Sequence, residues 1–218
     1  MAREKLNLLV KRIVSIFFSV LMCIVTLFKF PFNLNILIIL ALYLSWTLTE
    51  LSLQHWEANA AASQKPYDKK SRAYIVGCRH ISLWASSLYI FFIGAGHNFN
   101  IIILGIVLVV IGWFLRAQSI MKLKDFFTME INANENQKII NTGMYRYIRH
   151  PSYLGILLMF TGFPLIAGAI YVALSLLIIS TIVIIYRMNI EEELLLEKTP
   201  NSYSNYMKTT FRLLPFIY

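Results

Sequence analysis

The amino-acid sequence predicts an all-α integral membrane protein with about six transmembrane helices, five at the least. Of its 218 residues, 58% are hydrophobic and only 14% are charged, whereas soluble domains have about 25% charged residues. The apolar residues form runs close to the length of about 20 residues that a bilayer requires. The basic residues are grouped at the ends of these runs. Together these observations exclude an ordinary soluble domain.

Four apolar runs precede a long polar stretch at residues 116–150. They cover residues 13–28, 32–53, 73–93 and 99–115. The first is slightly short for a span, and the other three have the expected length of about 17 to 25 residues. We therefore divide the chain into two regions. Residues 1–98 form N-terminal transmembrane helices, and residues 99–218 form a core that is expected to contain the functional site.

A second apolar block runs from Pro151 to Tyr186 and is too long for one upright helix. Gly162, Phe163 and Pro164 interrupt it. Proline lacks an amide hydrogen and disfavours helix in the residue before it, so we expect two helices joined by a tight turn there. The first of the two is expected to cross the membrane only in part.

Lysine and arginine are distributed unevenly around the predicted spans. They cluster in residues 1–12, 55–72, 116–150 and 187–218, whereas the intervening connections contain only Lys29. With six crossings all four clusters fall on one side, which the positive-inside rule makes cytoplasmic. Both termini and a C-terminal helix are therefore predicted to be cytoplasmic. The net charge of +9 is explained by this clustering, and no nucleic-acid partner is expected.

The cysteine and histidine pattern predicts no metal site. Cys23 and Cys78, the two cysteines of the chain, each lie inside an apolar run. Neither has a second ligand at metal-site spacing, and neither belongs to a disulfide framework. His55 and Glu57 lie together after the second span, but a metal would need more ligands than this pair.

The stretch YRYIRHPSYLG, residues 145–155, leads into the second apolar block. Because the residue before proline avoids the α region and proline favours the first helical position, we expect His150 to be the cap and Pro151 to begin the helix. The amides of the first turn, including those of Ser152 and Tyr153, would then be unpaired and would attract an anion.

Arginines and tyrosines surround this predicted helix start. Arg146 and Arg149 would suit a carboxylate or phosphate, and the three tyrosines offer aromatic faces for a ring or a cation: Tyr145, Tyr147 and Tyr153. The alternative is that these side chains are ordinary anchors at the membrane boundary. The residues of this stretch alone favour the anchors over the pocket.

The combination of three segments resembles a known family. GMYRYIRHPSYLG is followed by RMNIEEELL and then by YSNYMKTTFRLLP, a pattern similar to the isoprenylcysteine carboxyl methyltransferase family and its relatives among the membrane-bound phospholipid methyltransferases. The resemblance covers residues 105–215. It implies S-adenosylmethionine as methyl donor at the cytosolic boundary and a lipid-like or prenylated carboxylate that enters from the bilayer.

The resemblance also assigns roles to residues. Glu191 is expected to bind the ammonium group of the cofactor, and Arg187 to hold the acceptor carboxylate, which makes these two the catalytic residues. Independently of the resemblance, Arg116 at the end of the fourth span is either an anchor or a second acceptor-binding residue. Gln137 stands where the family usually has a histidine, which leaves a backbone contact there, and Glu130 stands where eukaryotic members have a glutamine. The cofactor-binding residues are expected to be Gln137, Lys138, Ile139, Ile140, Tyr145, His150, Pro151, Ser152, Tyr153 and Glu191.

A carboxylate acceptor determines the expected mechanism. Its reference pKa is about 4, so it is ionised at neutral pH and needs no general base, only placement in line with the sulfonium methyl group. A lipid amine N-methyltransferase is an alternative, but a protonated amine would require a base. A second alternative is a non-enzymatic transporter or scaffold, because Glu50, Arg79 and His80 lie within or near predicted spans.

Several charged residues are expected to have structural roles. We favour a bridge between Glu50 and Arg79 across neighbouring helices. Arg187 and Glu191, four residues apart, should share a helix face and could form an ion pair. Glu192 and Glu193 are expected to point elsewhere. The short N-terminal half indicates a bacterial or archaeal plasma membrane, or the endoplasmic reticulum if the protein is eukaryotic, with the site facing the cytoplasm.

Overall fold

The computed structural model of the protein describes residues 2–53, 70–123, 131 and 139–215. The helices are α1 Ala2–Lys29, α2 Leu34–Leu53, α3 Lys70–Ile93, α4 Phe99–Leu123, α5 Pro151–Ala167, α6 Ile170–Lys198 and α7 Pro200–Thr209, with a 3₁₀ turn at Gly143–Arg146. No strand occurs in this part of the chain, although Ile148 and Phe211 form an isolated β-bridge. The predicted all-α class is therefore confirmed.

Four of these helices are long and apolar enough to cross a membrane. The spans are Leu34–Ser52, Lys70–Ile93, Phe99–Leu123 and Ile170–Lys198, and shorter apolar stretches occur at Ile16–Lys29 and Pro151–Ala167. These helices support an integral membrane protein. The count of six crossings and the cytoplasmic position of both termini stay predictions.

Helix α5 is the central element of the fold. It packs against α2, α3, α4 and α6, and nearly all of its residues are buried. Aromatic rings fill the space beside it, since Trp46 of α2 stacks on Phe163 at 6.3 Å between ring centroids. Helices from both predicted regions, 1–98 and 99–218, contribute to this one core. The N-terminal turn of α5 is thereby held by neighbours on several sides.

The close approach of α4 and α5 depends on glycine. A Cβ added at Gly112 would lie 2.5 Å from the Gly155 carbonyl oxygen, and one added at Gly155 would lie 2.5 Å from the Gly112 carbonyl oxygen. Gly105 and Gly162 face each other in the same way further along the two helices. The backbones therefore touch, which brings Arg116 of α4 beside the first turn of α5.

The predicted break at Gly162, Phe163 and Pro164 is wrong. Helix α5 runs through Pro164 to Ala167, and the turn to α6 is at Gly168. Gly168 has φ +85°, a left-handed conformation that glycine adopts without a steric penalty. Its N–H donates to the Leu165 carbonyl at 2.9 Å. The first helix is thus longer than the interrupted pattern indicates.

A hydroxyl group on α3 explains why α5 continues through the proline. Pro164 has no N–H for the carbonyl of Phe160, four residues earlier. The Ser82 hydroxyl donates to that carbonyl oxygen at 2.7 Å, and Ser82 is fully buried. The acceptor that proline leaves without a helical donor is therefore satisfied by a neighbouring helix.

Replacing Ser82 by alanine is expected to destabilise the protein by about 1–3 kcal/mol, because a buried carbonyl loses its donor. Thermal unfolding in detergent measures the effect. Ser86→Ala is the matched control, since Ser86 is equally buried and its hydroxyl donates within α3, to the Ser82 carbonyl. Equal destabilisation by the two changes would contradict this account of Pro164.

Candidate active site

The first turn of α5 begins where the sequence predicts. His150 is the cap residue and Pro151 occupies the first helical position. The expectation of a free Tyr153 amide is wrong, because that N–H donates to the His150 carbonyl oxygen at 3.1 Å. Such a 3₁₀-type bond tightens the first turn and uses one of the donors that a helix start normally leaves free.

Arg187 and Glu191 are connected through a phenol. The Tyr153 hydroxyl accepts from Arg187 Nε at 2.9 Å and donates to Glu191 Oε2 at 2.5 Å. The two residues share a face of α6, as predicted, but the hydroxyl of a third helical residue lies between their charged groups. One tyrosine therefore links the residue expected to bind the acceptor to the residue expected to bind the cofactor.

Arg187 is buried, with 4% exposure. Besides Tyr153, its guanidinium contacts Ser71 at the start of α3, where Nη1 donates to the hydroxyl oxygen at 2.7 Å. Hydroxyl groups orient a guanidinium without cancelling its charge. The Glu191 side chain, by contrast, is 33% exposed, so its carboxylate is accessible at the edge of the site.

Glu192 points into the site, so the expectation that it points elsewhere is wrong. It is 7% exposed, and its carboxylate oxygens lie 2.9 Å from Arg149 Nε, 3.0 Å from His150 Nε2 and 3.1 Å from Arg212 Nη2. The burial pattern of α6, which the sequence does not show, explains this position. Ile184 and Met188 are buried, and the next step of four residues on that helix face is Glu192.

The C-terminal segment lies against the segment before α5. The Phe211 N–H donates to the Tyr147 carbonyl at 2.9 Å, and the Arg149 N–H donates to the Phe211 carbonyl at 2.8 Å. The Tyr206 hydroxyl of α7 donates to the Tyr145 carbonyl at 2.6 Å. These bonds hold the 3₁₀ turn and the residues just before α5 in place.

Two buried tyrosines near the glutamates remain neutral. Burial, and then the negative charge of Glu191, raise the pKa of Tyr145. Burial, and then Glu192 and Glu191, raise the pKa of Tyr203. The hydroxyl of Tyr203 is buried and has no hydrogen-bond partner among the described residues. A buried polar atom of this kind is often completed by a ligand or water.

Arg116 and Ser152 belong to another cluster of polar side chains, at the first turn of α5. Arg116 donates from Nε to Glu50 Oε1 at 2.9 Å and from Nη1 to the Ser152 hydroxyl at 2.5 Å. The predicted pairing of Glu50 with Arg79 is confirmed, with 3.7 Å between Arg79 Nη1 and Glu50 Oε2. His80 Nδ1 lies 2.9 Å from the Ser19 hydroxyl.

Of the other predicted residues, the structure describes Ile139 and Ile140. Ile139 and Ile140 are partly buried at the start of the segment that leads to the 3₁₀ turn. Gln137, Lys138 and Glu130, as well as His55 and Glu57, lie outside the described residues. Within the described residues, no three His, Cys, Asp or Glu side chains are grouped as metal ligands would be.

Comparisons with known proteins point to the same segments. Residues 102–197 match the model of the isoprenylcysteine carboxyl methyltransferase (ICMT) family. Protein-S-isoprenylcysteine O-methyltransferase B of Arabidopsis thaliana is 32% identical over 75 residues, which are 34% of this chain and 38% of the plant protein. The chain thus spans well under half the length of this relative.

A solved structure has the same fold. The eukaryotic intramembrane Ras methyltransferase ICMT, solved without a monobody, matches with a TM-score of 0.60 at 18% identity, over 97% of this chain and 87% of that chain. The family match covers most of α4, all of α5 and nearly all of α6. These helices contain Arg116, Ser152, Tyr153, Arg187 and Glu191, and the match also includes His150, the cap residue of α5. The resemblance to the isoprenylcysteine carboxyl methyltransferase family that the motifs predict is therefore confirmed.

Proposed function

We propose that the protein is an S-adenosylmethionine-dependent carboxyl O-methyltransferase that forms a methyl ester on an isoprenylcysteine-like or other lipophilic carboxylate. The observation that carries the proposal is the buried Arg187, which hydroxyl groups orient beside Glu191. A buried positive charge beside the residue expected to bind the cofactor suits an anionic acceptor. The family match and the name of the plant relative support the same class of reaction.

The residues present fit S-adenosylmethionine, which when bound supplies an electrophilic methyl group on a positively charged sulfur. Glu191 offers an accessible carboxylate for a cationic group. Tyr145 offers an aromatic ring, the Tyr153 ring stacks on that of His150, and the Tyr203 hydroxyl can donate a hydrogen bond. Together with His150, Pro151 and Ser152 at the first turn of α5, these residues would hold the cofactor.

The acceptor needs orientation more than activation. A carboxylate with a pKa of about 4 is ionised at neutral pH, so one of its oxygens could take the methyl group without a base, the methyl–sulfur bond breaking with its electron pair left on a neutral S-adenosylhomocysteine. Arg187 would bind the other oxygen, because a fully paired carboxylate would be a weaker nucleophile. Tyr153, bonded to both Arg187 and Glu191, would keep the acceptor side aligned with the cofactor side.

The apolar surroundings of the site would bind the lipid-like tail of the acceptor. Each methylene of a lipid-like tail that is buried contributes about 0.8 kcal/mol to binding. We place the site at the cytoplasmic boundary of a bacterial or archaeal plasma membrane, or of the endoplasmic reticulum if the protein is eukaryotic. The basic clusters at residues 116–150 and 187–218 support that orientation.

Two measurements on protein purified in detergent test the proposal. Calorimetry should detect saturable binding of S-adenosylhomocysteine that His150→Ala abolishes, because the His150 ring stacks on Tyr153 and contacts Glu192. His97→Ala is the matched control, since His97 is exposed in the connection before α4. No binding to a folded, monodisperse sample would remove the methyltransferase proposal.

The second measurement identifies the product. Labelled S-adenosylmethionine is offered with an S-farnesylated N-acetylcysteine or with phosphatidylethanolamine. We expect label on the farnesylated acid that alkali releases as methanol, because esters hydrolyse under these conditions and N-methyl groups do not. Alkali-stable label on the amine lipid would replace the carboxyl methyltransferase by the N-methyltransferase.

A further inference from the structure

A buried ion pair connects α2 to the first turn of α5. Glu50 of α2 and Arg116 of α4 are each 8% exposed. Arg116 Nε donates to Glu50 Oε1, and Nη1 of the same guanidinium donates to the hydroxyl of Ser152. Glu50 is therefore one side chain away from a residue of the cofactor-binding turn, although the two are far apart in sequence.

The position of the Glu50 carboxylate is set from a second side. Its other oxygen lies 3.7 Å from Arg79 Nη1, and the Arg79 guanidinium is 5.1 Å from the ring centroid of Trp46 and 5.5 Å from that of Tyr43. A carboxylate between two arginines has little freedom to turn. Because burying such charges is costly, the arrangement persists only while the partners remain together.

Because a guanidinium is planar and rigid, the position of the Glu50 carboxylate also restricts the Arg116 donor that bonds Ser152. Its donors form a rigid planar fork, so an oxygen bound at Nε also determines where Nη1 points. Ser152 stands between Pro151 and Tyr153, and Tyr153 contacts Glu191 and Arg187. A change in the orientation of the Arg116 guanidinium would therefore displace the turn that is expected to bind the cofactor.

We propose that Glu50 is a positioning residue for the cofactor-binding turn, acting on Ser152 through Arg116. The proposal rests on the proposed function and goes beyond the family match, since Glu50 lies outside residues 102–197. Arg116 then acts on the turn rather than on the acceptor. The N-terminal helices, which carry no recognisable motif, would in this way supply part of the site.

A double-mutant cycle on the full chain tests the proposal, with S-adenosylhomocysteine as the probe in calorimetry. Glu50→Gln should raise the Kd about tenfold, because a charged hydrogen bond that orders the turn is weakened. In a Ser152→Ala background the same change should alter the Kd by less than about twofold, because the connection is already broken. Glu193→Gln, at an exposed position of α6, is the matched control and should leave the Kd unchanged.

The outcomes separate this proposal from the proposed function. No binding to the wild-type protein rejects both. If the wild type binds, an unchanged Kd in Glu50→Gln, or an equal effect in both backgrounds, rejects the role of Glu50 alone. Should Glu50→Gln not fold, Arg116→Lys takes its place, because lysine keeps the charge but cannot bond Glu50 and Ser152 with one rigid fork. An unchanged Kd in that variant overturns the proposal.

Discussion

Arg187→Ala is expected to abolish methyl transfer and to leave S-adenosylhomocysteine affinity largely intact. The acceptor carboxylate would lose the guanidinium that orients it, and misplaced reactants typically lose a factor of about a hundred or more in rate. Cofactor contacts are expected to depend on Glu191 and on the start of α5, which this change leaves in place. Single-turnover kinetics with the farnesylated acid and calorimetry with S-adenosylhomocysteine measure the two effects.

Glu191→Gln is the partner experiment and should weaken cofactor affinity. A pattern in which Arg187→Ala loses the cofactor and Glu191→Gln loses only turnover would reverse the two assignments. Folding must be checked for Arg187→Ala, because the Tyr153 and Ser71 hydroxyls both lose a buried partner. Arg187→Lys keeps a positive charge at this position and should retain more activity than alanine.

Glu192→Ala is expected to have the largest effect on stability, a loss of about 3–5 kcal/mol. Its carboxylate lies against Arg149, His150 and Arg212, and its removal would leave the two arginines close together without their shared counter-charge. Denaturant titration in detergent measures the loss. Because Glu192 contacts His150, whose ring stacks on Tyr153, we also expect weaker binding of S-adenosylhomocysteine.

The neighbouring residue provides the control for this experiment. Glu193 has the same chemistry and is exposed on α6, so Glu193→Ala should change the free energy of unfolding by less than about 0.5 kcal/mol. Similar losses for the two variants would mean that charge on this helix, and not the buried cluster, stabilises the protein. Glu192→Gln keeps an acceptor oxygen and should fall between the wild type and the alanine variant.

Local rules predicted a large part of the candidate site. The start of α5 at Pro151 with His150 as cap follows from the stereochemistry of one peptide unit. The shared face of Arg187 and Glu191 follows from helical spacing. The same kind of rule was wrong at Pro164 because the donor for the Phe160 carbonyl comes from Ser82, 78 residues away in sequence.

The amino-acid sequence by itself determined the all-α class, the apolar spans and the start of α5, because each depends on composition or on residues within a few turns of one another. It also determined the resemblance to the methyltransferase family, because that depends on residue identities in three short segments and not on how they pack. Only the tertiary structure decided that Tyr153 lies between Arg187 and Glu191, that Glu192 faces Arg149 and His150, and that Glu50 holds Arg116. Those partners are between 34 and 66 residues apart in sequence, and they meet because glycine contacts and a buried hydroxyl determine how α5 packs among its neighbours.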